Sequence, residues 1–252
     1  MMYGDGVFRT MRMHDGKILS WPLQYAKLRA DCEALDILCP ARSVLEDELA
    51  QLRDQEANCV VKIIVSRGEG GRGYRVPDSV SPNRVMLTAS LPVYPAHFWH
   101  EGVTLHVCEM RLSHQPRLAG IKHLNRLENV LARMEWEDAA IPEGLMLDVD
   151  GWVISGTMSN VFARRGATLV TPELTACGVA GLQRERVLGY AVNLNLEPVV
   201  TRIALNDLLA ADEIFICNSV IGLWPVKAID RHKIQLGPVA SQMQQLLAQE
   251  VD

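Results

Sequence analysis

No apolar run in this 252-residue sequence reaches the length of a membrane-spanning helix. The N-terminus also lacks the basic, apolar and small-residue succession of a secretory signal. A basic block is missing too. The formal charge of −5 is mild and has no cationic stretch, which argues against nucleic acid or a membrane surface as the main partner. Six cysteines are present (Cys32, Cys39, Cys59, Cys108, Cys177, Cys217), but none stand as Cys-x-x-Cys. Such scattered thiols suit the reducing cytoplasm better than disulfides or zinc, and no metal is expected. Internal repeats and low-complexity segments are absent. Lysine is scarce beside arginine. Apart from Lys122, the lysines fall in a hairpin turn, a helix, a strand and near the C-terminus.

The length allows a large core and one or two domains. Val7 to Met13 alternates, Asp15-Gly16 signals a tight turn and Lys17-Ile18-Leu19 returns, which reads as a β-hairpin. Phe8, Thr10 and Arg12 share one face of it; Arg9, Met11 and Met13 share the other. Leu28, Cys32 and Leu35 mark a helix with Pro22 near its start. Ser43-Val44-Leu45-Glu46 has the pattern of a capping box opening a second helix. Val60 to Val65 reads as a buried strand, Val85 to Ala89 as another and Val103 to Val107 as a third. Gly68, Gly70 and Gly73 fit a dinucleotide fingerprint, but Arg75-Val76-Pro77-Asp78 follows where a helix should start, so that reading fails. A loop carrying Arg67 and Arg72 is better read as anion-binding, because guanidinium forks pair with carboxylates. Solvated loop arginines are the alternative.

Periodicity is lost between Arg111 and Gly120, where Pro116 falls. The expected division is a smaller N-terminal α/β domain over 1–112, a linker over 113–119 and a larger C-terminal domain over 120–252. In the second part, 145–154 and 160–170 read as hairpins. Gly181-Leu182-Gln183 leads into a helix, Asn206 to Leu209 is a short helix, Ile214 to Cys217 a buried strand and Val239 to Leu247 a closing helix. Runs of strands broken by helices give a mixed α/β (α+β) class with much antiparallel sheet.

The stretch of greatest chemical interest is Gly120-Ile121-Lys122-His123-Leu124-Asn125-Arg126-Leu127-Glu128. Leu124, Leu127, Leu131 and Met134 recur at helical spacing and predict a core-facing stripe. Lys122 is then expected at a loop–helix junction, where desolvation would make its amine nucleophilic. An arbitrary lysine is more often solvated. What sets this one apart is that the segment resembles the cofactor-lysine segment of the aminodeoxychorismate lyase branch of the fold-type IV (class IV aminotransferase-like) pyridoxal-phosphate enzymes. The resemblance extends from Tyr3-Gly4-Asp5-Gly6-Val7-Phe8 to Ile216-Cys217-Asn218-Ser219.

That resemblance implies a two-domain architecture like that of the D-amino acid aminotransferases. It also implies a homodimer, and pyridoxal 5'-phosphate held by Lys122 as a Schiff base in a site between the domains. It makes Gly181, Leu182 and Gln183, with Asn218 and Ser219, the phosphate-binding segments, and Asn160 part of the cofactor strand. Lys27 stands where the family usually has an arginine. Ser155 stands where relatives commonly have a glutamate paired with the pyridine nitrogen, a weaker partner that suits an elimination with an aromatic product. Thr10 matches a position where a hydroxyl assists proton transfer, and Arg67, Arg72 and Arg126 are candidates for the substrate carboxylates. The implied reaction converts 4-amino-4-deoxychorismate to 4-aminobenzoate and pyruvate, a step of folate synthesis. The alternatives are a D- or branched-chain amino acid aminotransferase of the same fold, or a non-catalytic cofactor-binding protein. Family members usually carry a strand and a turn ahead of Tyr-Gly-Asp-Gly. Met1 and Met2 alone precede it here, so a short N-terminus is expected to leave a sheet edge exposed.

Overall fold

Alternation over residues 6–14 and 59–66 builds the first sheet. In a computed structural model describing residues 3–53, 56–76 and 78–249, β1 (Gly6–His14), β2 (Lys17–Ile18), β3 (Cys59–Ser66) and β4 (Asn83–Ala89) pair antiparallel in the order β2-β1-β3-β4. The period of two sends Val7, Met11 and Met13 of β1 and Cys59, Val61, Ile63 and Val65 of β3 to one face. Helices α1 (Trp21–Ala34) and α2 (Arg42–Arg53) contribute Leu28, Cys32, Leu45 and Leu49 to the same core. The opposite face carries Phe8, Thr10, Arg12 and Lys62, all half-buried. Thr10 stands in register with Lys62, and Phe8 with Ile64.

Two expectations change in this unit. Helix α2 begins at Arg42, so Ser43 is already inside it. Glu46 spends its carboxylate on Arg42 and on the Trp21 indole rather than closing a capping box. Strand β4 is largely exposed, because it is the outer strand of the sheet. The residues preceding Tyr3, on which the short-N-terminus expectation rests, lie outside the described residues.

The second unit is a mixed sheet with helices. Its elements are β5 (Val103–Leu112), α3 (Leu127–Arg133), β6 (Glu143–Asp148), β7 (Val153–Gly156), β8 (Asn160–Arg165), β9 (Thr168–Pro172), α4 (Leu182–Tyr190), β10 (Glu197–Thr201), α5 (Leu205–Leu209), β11 (Glu213–Asn218), β12 (Gly222–Ile229), β13 (His232–Lys233) and α6 (Pro238–Ala248). The strand order is β10-β9-β8-β11-β12-β5-β6-β7, with β13 against β12. Both faces of the central strands are covered. Val161, Ala163, Ile214 and Ile216 pack into one cluster, while Phe162, Phe215 and Cys217 point into another. Such strands read as unbroken apolar runs. Three of the pairings, β9·β10, β5·β12 and β5·β6, are parallel.

The unit boundary differs from the expected 112/113. One unit runs to Pro92 and adds Ile121–Asn125; the other comprises Val93–Gly120 and Arg126–Gln249. The reason is hydrogen bonding. Strand β5 is locked between β6 and β12, and His123 forms a bridge with Val7 of β1.

Candidate active site

The Lys122 segment is extended, and it is pinned to the first unit. Phe8 N–H donates to the Lys122 carbonyl at 3.0 Å, and Leu124 N–H donates to the Gly6 carbonyl at 2.9 Å. Asn125 Nδ2 donates to the Gly4 carbonyl at 3.2 Å. Gly4 has φ +68°, and a side chain there would collide with Asn125, so this turn requires glycine. The expected loop–helix junction at Lys122 is therefore corrected. Helix α3 starts five residues later, and its apolar stripe faces outward: Leu127 is 69 % and Met134 73 % exposed, with Leu131 exposed as well. Ala132 is the buried residue of that helix.

The Lys122 side chain lies against the exposed face of the sheet. Its Nζ stands 4.4 Å from the Phe8 ring centroid, and Lys62 Nζ stands 5.4 Å from the same centroid. Two ammonium groups on one aromatic ring, beside Thr10 on the same strand face, make a cationic patch suited to an anionic substrate. Sequence reasoning did not single out Lys62 beside Lys122. A charge inside the apolar run Val60-Val61-Lys62-Ile63-Ile64-Val65 was the available signal.

Behind the sheet, Asp31 of α1 fixes the backbone of this segment. Asp31 Oδ2 accepts from the Arg9 guanidinium and, at 3.4 Å, from the Lys122 backbone N–H. Arg9 and Asp31 are both buried. A buried charge persists only when paired, and the sequence reading missed this ion pair. Lys27 lies on the same helix, one turn before Asp31 and half-buried.

Arg67 is corrected as a substrate ligand. Its fork grips Asp5 through Nε at 2.6 Å and a terminal nitrogen at 3.0 Å. The remaining donors reach the Leu35 and Asp36 carbonyls. Its guanidinium is spent on fastening the Tyr3–Gly6 turn to the end of α1. Arg72 is exposed on the glycine-rich loop, whose Tyr74 ring packs on Tyr3 with centroids 5.1 Å apart.

In the second unit the other predicted residues converge on the ends of β8 and β11. Asn160 stands in register with Cys217. Its Oδ1 accepts the Gly181 N–H at 3.2 Å and its Nδ2 donates to the Val179 carbonyl at 2.8 Å, so one side chain orients the start of α4. A side chain on Gly181 would approach Asn160 Oδ1 to 2.5 Å. No side chain caps α4, so its first-turn N–H groups and the positive end of its dipole remain available for an anion. Leu182 and Gln183 supply two of them. Arg184, in the same turn, is buried, and its Nε has no hydrogen-bond partner among the described residues. A terminal nitrogen of its guanidinium donates to the Pro172 carbonyl at 3.0 Å, and burial lowers its pKa. Asn218 Oδ1 accepts from the Val220 and Ile221 N–H groups, forming the turn that presents Ser219. Its Nδ2 reaches the Met158 carbonyl at 3.1 Å. These groups fit a phosphate monoester. Arg126 sits at the N-terminal cap of α3.

Ser155 is buried in β7, and its Oγ donates to the Gly156 carbonyl at 2.8 Å. The carboxylate that sequence reasoning did not see is Glu143, at the start of β6 and fully buried. Its Oε1 accepts from the N–H groups of Gly144 and Thr157 and from the Thr157 hydroxyl; Oε2 accepts from Met158 N–H and Ser159 Oγ. Burial pushes its pKa up, against the pull of those donors. With both oxygens so engaged, Glu143 holds the turn between β7 and β8 and does not take the place of the glutamate missing at Ser155.

Similarity to known proteins accords with this arrangement. The chain is 40 % identical over 232 residues to the aminodeoxychorismate lyase of Vibrio harveyi, covering 90 % of this chain and 84 % of that protein. The crystal structure of 4-amino-4-deoxychorismate lyase from Pseudomonas aeruginosa superimposes with a TM-score of 0.93 at 41 % identity, over 100 % of this chain and 93 % of that one. The branched-chain amino acid aminotransferase of Escherichia coli shares the fold, with a TM-score of 0.82 at 21 % identity over 96 % of this chain and 84 % of that one. The amino-transferase class IV model matches residues 6–229, a span that takes in β1, Lys122, the start of α4 and the Asn218 turn together, and the chain belongs to the class IV amino-transferase family.

Proposed function

We propose that this protein is a pyridoxal-phosphate-dependent aminodeoxychorismate lyase, converting 4-amino-4-deoxychorismate to 4-aminobenzoate and pyruvate. The observation that carries the reading is the Lys122 amine over Phe8, on the sheet face that also bears Thr10 and Lys62. Among related enzymes, the high-identity matches that cover this chain almost fully are lyases.

Lys122 is assigned as the covalent attachment point of the cofactor. The α4 N-terminus with Gly181, Leu182 and Gln183, and the Asn218-Ser219 turn, are assigned to its phosphate. Asn160 orients that helix start, Ser155 stands on the cofactor strand and Lys27 is a further phosphate ligand on the family pattern. When bound, pyridoxal phosphate supplies an aldehyde for the substrate amine and a ring that withdraws electrons. The chain's own groups do the rest. The Lys122 amine removes the proton from the carbon bearing the substrate nitrogen. Thr10, with a hydroxyl too weakly acidic to be a free base, passes that proton to the departing enolpyruvyl group, which leaves as pyruvate. Loss of the ether restores the aromatic ring, so the step needs less electron withdrawal than a transamination. That need is consistent with serine at position 155. Lys62, Arg72 and Arg126 are assigned to the two substrate carboxylates.

A homodimer is supported by the apolar outer face of α3, where Leu127, Val130, Leu131 and Met134 are all exposed. Sedimentation at micromolar concentration should give twice the 28.0 kDa chain mass. No described helix is long and apolar enough to cross a membrane. Six free cysteines support a reducing, cytoplasmic location. The deciding assay incubates purified holoprotein with aminodeoxychorismate. Release of 4-aminobenzoate and pyruvate supports the lyase; keto acid from D-alanine or a branched-chain amino acid, without 4-aminobenzoate, refutes it. Borohydride reduction and peptide mapping should place the pyridoxyl adduct on Lys122, whereas an adduct on Lys62 or Lys227 would refute that assignment.

A further inference from the structure

Four of the six free cysteines are packing residues. Cys59, Cys108, Cys177 and Cys217 are buried, Cys108 and Cys177 in one core cluster and Cys217 in another, and burial pushes each thiol up, the last three to about 12. Such thiols are unreactive. Cys32 and Cys39 are arranged differently. Cys32 lies on the last full turn of α1 and is wholly buried. The chain reverses just beyond it, at Asp36 with φ +51°, and Ile37 N–H donates back to the Cys32 carbonyl at 2.9 Å. That reversal returns Cys39 to the core cluster that holds Cys32, so the two side chains lie beside each other. Cys39 is half-buried and so can be reached from solvent. Tyr25, two turns earlier on α1, donates its hydroxyl to the Pro40 carbonyl at 3.0 Å and also contacts the Cys39 thiol. The Cys32 contact and the Arg29 charge hold the Cys39 thiol below its ordinary range, while that contact and burial push Cys32 up. A partly exposed thiol beside a wholly buried one is the arrangement of an attacking and a resolving cysteine.

We propose that Cys32 and Cys39 are a redox modification site, at which a hydroperoxide converts the two thiols to a reversible disulfide. Cys39 thiolate attacks the outer oxygen of the hydroperoxide. The O–O bond breaks, the alcohol or water departs after taking up a proton, and Cys39 becomes a sulfenic acid. Cys32 sulfur then attacks Cys39 sulfur, the S–O bond breaks, and the leaving hydroxyl takes the Cys32 proton as water. In sum, two thiols and one hydroperoxide give one disulfide, one alcohol (water when the oxidant is hydrogen peroxide) and one water. The tie would form one residue from Asp31, whose carboxylate holds Arg9 and the Lys122 backbone.

Both cysteines fall in the single tryptic peptide Ala30–Arg42, which makes the test direct. Full-length holoprotein is treated with hydrogen peroxide in slight excess, denatured in iodoacetamide and digested. The expected peptide is two hydrogens lighter than the reduced form, takes no alkyl group, and takes two after dithiothreitol. Cys32→Ser should accumulate a Cys39 sulfenic acid that dimedone traps. If peroxide leaves the parent peptide accepting two alkyl groups while other cysteines oxidise, the proposal is overturned. Conversion of Cys39 to the sulfonic acid without a linked form would overturn it equally.

Discussion

Removing the Glu143 carboxylate tests how the turn between β7 and β8 is held. In Glu143→Ala, three backbone N–H groups (Gly144, Thr157, Met158) lose their acceptor in a fully buried place, while the Thr157 and Ser159 hydroxyls can rotate. An unsatisfied buried donor costs about 1–3 kcal/mol. With the low end of that range for a cavity that admits water, the sum is about 3–5 kcal/mol. Glu143→Gln keeps the shape. Its amide nitrogen, placed at the Oε2 position, meets one hydroxyl that can turn to accept and one Met158 N–H that cannot, so the cost is about 1–2 kcal/mol. For a chain of this size about 1 kcal/mol moves Tm by about 2–4 °C. The expected falls are therefore roughly 4 °C for glutamine and 10 °C or more for alanine. Trp136, whose ring lies where a Gly144 side chain would project, is a local fluorescence reporter. Because Asn218 also holds the Met158 carbonyl, pyridoxal phosphate affinity should fall in the same order. Alanine and glutamine variants with equal Tm values, or a glutamine variant indistinguishable from the parent, would refute the reasoning.

Thr10→Ala should bind and colour with the cofactor yet slow 4-aminobenzoate release by about 10²-fold, the scale of a positioned proton-transfer group. Thr10→Ser should recover much of the rate, and parent-level turnover in the alanine variant would return Thr10 to an ordinary strand residue. Lys62→Ala should raise KM for aminodeoxychorismate about tenfold or more with a smaller change in kcat, as loss of a charged hydrogen bond implies; an unchanged KM would count against it. Asp31→Asn should cost about 3–5 kcal/mol, since it strands the buried Arg9 charge, read by urea denaturation. Burial raises Cys108, Cys177 and Cys217 from 9.0 to about 12. The stability they contribute is therefore present below pH 9 and lost as pH rises from 9 towards 12, at about 1.4 kcal/mol per pH unit for each thiol. Cys217→Ala should flatten that decline, and an unchanged slope would contradict it.

Strands were legible where one physical rule acted alone. In β1 and β3 one face is covered by α1 and α2, so period-two alternation assigned faces correctly even for Arg9, whose burial then demanded a partner. Strands β8 and β11 are covered on both sides and showed as apolar runs. Strand β12 escaped notice because Gly222, Pro225 and Lys227 interrupt its run, and a proline argues against a central strand. Yet Pro225 stands in register with Phe215 at the middle of the sheet. Strand β10 escaped for the same reason, through Pro198, and there the proline lies on the outer strand, where a missing donor costs little. The domain boundary was misplaced because Pro116 marks a loop inside the second unit, whereas the division follows the hydrogen bonds of β5 and of the Lys122 segment.

The site divides along a different line. Lys122, Thr10, Asn160, Gly181 and Asn218 were proposed from a family signature. Periodicity misdirected the reading at Lys122, because the stripe of Leu127, Leu131 and Met134 reports only that α3 is amphipathic and says nothing of what covers it. In the proposed homodimer, the same three residues that were misread as core are the ones offered to a second subunit. Asp31 and Glu143 left no local trace. A carboxylate in mid-helix, or ahead of Gly144-Leu145-Met146-Leu147, looks solvated until its donors are known, and those donors lie up to 91 residues away in the chain. Their burial is tolerable because Asp31 is paired with Arg9 and both Glu143 oxygens accept hydrogen bonds. One of them fastens the segment that carries Lys122, and the other fastens the turn ahead of Asn160.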